Sequence, residues 1–165
     1  MKSLVTVLFA LLYLSGFSQK VTSTIELGKG ITLTGVVEPF EITKHKYDTC
    51  HADGSKGICL IDGAVWFGKD FGLDLPRNQL IKLTLKVKGK EIPLNVSGMY
   101  NPSYTGYLNK EYFKLKEYVG GWILYGMFSD GAGTYTVHWR IIKGKSIRQV
   151  ISNDERQFYW QYEEK

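Results

Sequence analysis

Tyrosines crowd one stretch of the chain, residues 97–113, which read SGMYNPSYTGYLNKEYF. Tyr100, Tyr104, Tyr107 and Tyr112 alternate there with Gly98, Asn101, Pro102 and Gly106. A tyrosine offers a broad apolar face and one hydroxyl at low entropic cost, and its ring can stack on a sugar. Four of them in a turn-rich segment predict a recognition loop centred on Tyr100, Asn101, Tyr104, Tyr107 and Tyr112. A long connection packed down by its own aromatic rings is the competing reading. Residues 101–103, Asn-Pro-Ser, are not a glycosylation sequon because proline holds the middle position.

A second candidate is the segment FSDGAGT, residues 128–134. Ser129 and Asp130 lead a glycine-rich tip whose backbone N–H groups could meet an anion or a partner's cleft. It lacks the GxxxxGK[ST] pattern and a following helix, so it is no phosphate loop. A plain hairpin connection uses the same residue types.

Other chemistry is sparse. Asp70 and Asp74 are hard oxygen ligands in the glycine-containing stretch 62–78, but the spaced carboxylates of an EF-hand loop are absent, so turn use is expected there. The histidines are His45, His51 and His138, and no G-x-S-x-G elbow or H-E-x-x-H pair accompanies them. The chain has two cysteines, Cys50 and Cys59, separated by the turn-forming HADGSKGI. They lack CxxC spacing, and His51 alone is too little for zinc. A disulfide is expected, worth ~2.7 kcal/mol in the chain-entropy model. The reading includes no metal and no cofactor.

Disulfide use fits the N-terminus. Lys2 precedes an apolar run over residues 4–14, then Ser15, Gly16 and Ser18 supply small residues for cleavage. This is the pattern of a secretory signal peptide over residues 1–18, leaving one domain over 19–165. A buried N-terminal helix is the alternative. No later apolar run is long enough for a transmembrane helix, so no stable membrane insertion is expected after cleavage. The formal net charge is +5, with the basic residues scattered along the chain. Nucleic-acid binding usually needs a dense basic stripe and is not expected.

The elements that would position these loops read as β. Apolar alternation marks residues 21–27 and 31–37 as a first pair. In residues 80–96, Ile81, Leu83, Leu85 and Val87 alternate with polar residues, Gly89 turns the chain, and Ile92, Leu94 and Val96 return on the same face. The outward lysines would solvate the sheet or form a basic platform. Residues 122–128, 134–142 and 146–152 form a meander, and 157–162 predict a last strand. In the middle run, Tyr135, Val137, Trp139 and Ile141 share one face. Asn109 suits the cap of a short helical turn, although residues 110–119 also read as strand; a second short helix could begin near Pro76.

The expected fold is all-β, a single-domain antiparallel sandwich or flattened barrel of eight to ten strands with one or two short helices. Its core would draw on Ile81, Leu83, Leu85, Ile92, Leu94, Val96, Leu124, Val137, Trp139, Ile141 and Ile147. The expected function is a secreted or periplasmic non-enzymatic binding protein. It would recognise a protein partner or glycan in the envelope or outside the cell through the tyrosine-rich loop; an inhibitor or immunity role is one version. The alternatives are a barrel carrying a small apolar ligand and a secreted hydrolase whose site is assembled only in three dimensions.

Overall fold

The computed structural model describes residues 19–52, 54–69, 74–129 and 131–162. The expected signal peptide lies outside the described residues, as do Asp70 and Asp130. The chain is all-β. Two four-stranded antiparallel sheets carry the fold, with a small three-stranded sheet beside them.

The first large sheet runs β1 (Val21–Gly28), β2 (Ile31–Pro39), β6 (Asn78–Val87) and β7 (Lys90–Leu94) in spatial order. The second runs β11 (Lys145–Ser152), β10 (Tyr135–Ile142), β9 (Gly121–Phe128) and β8 (Phe113–Tyr118). The third joins β3 (Tyr47–Ala52), β4 (Ser55–Ile61) and β5 (Ala64–Val65). The expected disulfide Cys50–Cys59 is present and ties two paired strands, β3 and β4.

Period-two alternation builds the core. Leu33, Leu83, Leu85, Ile92 and Leu94 from one sheet meet Leu124, Val137, Trp139 and Ile141 from the other. Tyr135, Val137, Trp139 and Ile141 are fully buried. Two expected core members sit elsewhere. The β2–β6 register shifts between Val36 and Val37, which pair with Lys82 and Leu80, so Ile81 is the unpaired bulge residue. Leu80 takes its inward place and Ile81 is only half-buried. Ile147 is 64% exposed. The tight turn at Lys143–Gly144 sets Ile147 opposite Arg140, on the outer face. Val96 packs at the margin of the core.

The last strand expected over 157–162 is instead a 3₁₀ turn, Glu155–Gln161, capped by the Asp154 carboxylate accepting from Arg156 N. It lies on the outer face of the second sheet. There Trp160 Nε1 donates to Thr136 Oγ1 at 3.0 Å, and His138 Nε2 lies 3.2 Å from the Gln157 carbonyl. That cover encloses part of the outer face of β10, burying the polar side chains of Thr136 and His138. Asn109 caps a 3₁₀ turn, Lys110–Tyr112, through Glu111 N, and β8 follows. No helix forms at the described residues around Pro76.

The connections divide by length. At one end, two-residue turns join β1 to β2, β6 to β7, β8 to β9 and β10 to β11. Lys88–Gly89 and Lys143–Gly144 have positive φ at both positions, the hairpin geometry that matches strand twist. The long segments 95–112 and 153–162, with Ser129 and residues 131–134, gather at the opposite end.

Candidate functional site

Segment 98–101 is threaded between two strands of chain. Phe67 N donates to Gly98 O, Tyr100 N to Phe67 O, Leu80 N to Met99 O and Asn101 N to Asn78 O, all between 2.9 and 3.1 Å. Contact is close enough that a Cβ on Gly68 would lie 2.1 Å from Tyr100 O. Tyr100 is buried, only 8% exposed, in a second core with Ile58, Ile61 and Trp66. Burial raises its phenol pKa, with the Asp62 carboxylate adding to the effect.

Asn101 is a clasp. Its φ of 44° places it in the left-handed region that asparagine tolerates. Its Oδ1 accepts from Arg77 N at 2.9 Å and Asn78 N at 3.3 Å, while Nδ2 donates to Gly68 O at 2.8 Å. The side chain thus bonds three backbone groups in two segments, 77–78 and Gly68, and is half-buried.

Beyond the clasp, the loop alternates. Pro102 and Gly106 are buried, and a Cβ on Gly106 would touch Val21 and Val37. Leu108 lies against Gly35, and its N–H donates to Ser23 Oγ at 3.0 Å. Tyr104 and Tyr107 point the other way, 77% and 57% exposed. The Arg77 guanidinium stands 5.8 Å from the Tyr104 ring centre, within cation–π range. The result is a fixed loop with an aromatic and cationic outer edge.

The structure brings the two candidate segments together. Ser129 N donates to Pro102 O at 2.8 Å, and Ser129 is buried with φ 65°. Ser129 therefore props the tyrosine loop, and Asp130 lies outside the described residues. Tyr112 belongs to a neighbouring recess of about 300 Å³ with Phe113, Lys114 and Trp160. Across Met127 and Gln161 lies a cleft of about 470 Å³ edged by Gly131, Ala132 and Tyr162. Arg77 and Tyr162, the latter 85% exposed, were not expected at this end, since only folding brings them here.

The histidines were also candidates for chemistry. His45 Nδ1 lies 2.7 Å from Asp62 Oδ2, and its ring stacks on Phe40 at 4.5 Å. That hydrogen bond, with another from Lys46 N, lowers the Asp62 carboxyl pKa. Among the described residues no hydroxyl or thiol is bonded to His45, so the pair ties a turn. His138 faces Tyr125 and Tyr159, and burial lowers its pKa against the opposing Gln157 carbonyl. His51 is exposed on β3. Among the described residues no group of three or more metal-ligating side chains gathers, and Asp74 is exposed.

No protein family, curated protein or solved structure matches the chain.

Proposed function

We propose that this is an exported, non-enzymatic binding protein that meets a protein partner or a glycan through the loop edge formed by Tyr104, Tyr107 and Arg77. One observation carries the reading. Two tyrosines are held outward on a loop whose other side is pinned by Asn101, Pro102, Gly106 and Leu108. Packing accounts for Tyr100, whereas the Tyr104 and Tyr107 rings stay open to a partner. Rigid aromatic anchors lose little entropy on binding, and such residues dominate interface energies. The disulfide fits an oxidising compartment. No helix among the described residues is long and apolar enough to cross a membrane.

The filled space between the two large sheets gives no support to an apolar-ligand carrier. The His45–Asp62 pair lacks a bonded nucleophile among the described residues, which favours binding over hydrolysis.

The test is a pull-down with oxidised protein as bait, against native envelope extract and purified cell-wall glycan. The double variant Tyr104→Ala/Tyr107→Ala runs in parallel. A partner retained by the parent and weakened about 30-fold or more in the folded variant is the expected result. Equal retention by both would remove the loop edge from the account.

A further inference from the structure

Lysines scattered in the sequence converge in the fold. Registers place Gly28, Ile31, Val87 and Lys90 at one end of the first sheet, and Tyr118, Gly121, Ile142 and Lys145 at one end of the second. The four tight turns therefore share an end of the sandwich, opposite the tyrosine loop. Three of them are Lys-Gly: Lys29–Gly30, Lys88–Gly89 and Lys143–Gly144. Lys86, Lys90 and Lys145 stand beside them, and all six lysines are exposed.

The two sheets press the turns together at one edge. A Cβ on Gly144 would lie 2.4 Å from Lys90 Nζ, so the Lys90 ammonium rests on the Lys143–Gly144 turn. This groups Lys88, Lys90, Lys143 and Lys145 despite more than fifty residues of intervening chain. Glu26, Glu91 and Glu117 occupy the same end, yet none of the six lysines has a carboxylate within 4 Å among the described residues. Lys20 and Lys44, towards the opposite end, are both paired with glutamates. Gathering unpaired like charges costs stability and creates a field that attracts anions.

The fourth turn differs in kind. Val119, at its tip, is 85% exposed, and neighbouring Tyr118 is 46% exposed. The Arg140 guanidinium lies 4.7 Å from the Tyr118 ring centre, which fixes the ring beside the tip. We infer that this hairpin end docks on an anionic lipid bilayer, with the lysines over headgroup phosphates and Val119 at the acyl boundary. Charge complementarity selects the anion, and the apolar tip among the lysines selects a bilayer over a soluble polyanion. Four turns at one end let a broad surface meet several of them at once. Docking here leaves the tyrosine loop facing away from the membrane. The inference rests on the hairpin end alone and stands apart from the function proposed for the loop.

The test is co-sedimentation with vesicles of neutral phosphatidylcholine, or of phosphatidylcholine with phosphatidylglycerol, at low and high salt. The full protein is compared with Lys88→Gln/Lys90→Gln/Lys143→Gln/Lys145→Gln and with Val119→Asp, each checked for an unchanged melting curve. A soluble polyanion, heparin, is titrated separately. Expected is binding to anionic vesicles only, suppressed by salt, and weakened about 100-fold or more in the quadruple variant, since each lysine near such a surface contributes roughly fivefold. Val119→Asp should weaken vesicle binding several-fold and leave heparin binding unchanged. The inference is overturned by equal binding to neutral vesicles, by full binding of the quadruple variant, by no vesicle binding at low salt, or by heparin binding without vesicle binding.

Discussion

Asn101 and Tyr104 stand three residues apart and do opposite work. The Asn101 side chain makes three hydrogen bonds to backbone, so Asn101→Ala leaves the buried Gly68 carbonyl and the half-buried Asn78 N–H without that partner. A loss of about 2–4 kcal/mol is expected in urea unfolding, against a change within about 0.5 kcal/mol for Tyr104→Ala. His138 supplies a pH dependence. In the unfolded chain its imidazole takes up a proton near pH 6.5, whereas burial lowers its folded pKa. Its contribution is therefore fully present above that pH and is lost as the pH falls through the folded pKa. Urea unfolding should show stability declining as the pH falls below about 6.5, and His138→Gln should flatten that slope. A pH-independent parent over this window would contradict the assignment. At the alkaline side, burial and the Tyr159 hydroxyl push the Tyr125 phenol up to about 12. The tyrosine count was legible in the sequence. Which rings would be buried was not, because Tyr100 is buried by Trp66 and Ile58, distant in the chain.

At the scale of elements, alternation located β1, β2, β6, β7, β9, β10 and β11 nearly to the residue. Register escaped it. A bulge at Ile81 and a two-residue turn before Ile147 each reverse a side chain's face while leaving the apolar count unchanged. The closing segment escaped for another reason. Phe158 and Trp160 are spaced as in a strand, but the described β8 and β11 bound the sheet and the segment lies across its face. The disulfide joins β3 and β4 in the small sheet, whose core of Ile58, Ile61, Trp66 and Tyr100 is separate from the main one. Cys50→Ala/Cys59→Ala should therefore cost up to ~2.7 kcal/mol. Hydrogen exchange should quicken in β3 and β4 while β9 and β10 keep their protection. Uniform loss of protection would show that the small sheet and the sandwich unfold as one unit.

Viewed whole, the molecule has two unlike ends. Tight turns gather cations at one, and long segments gather aromatic side chains at the other. Neither grouping could be read from the sequence, since each unites residues fifty or more positions apart. Both depend on strand direction, which places every long connection at the same end. The central claim is that the loop end is a recognition surface, and site-specific photo-crosslinking in the producing cell tests it most directly. A benzophenone side chain replaces Tyr107 in one variant and Thr22, an exposed outer-face residue of β1, in another. The account predicts one discrete adduct from position 107, abolished by Tyr104→Ala, and none from position 22. Absence of an adduct at 107, or the same adducts from both positions, would contradict it.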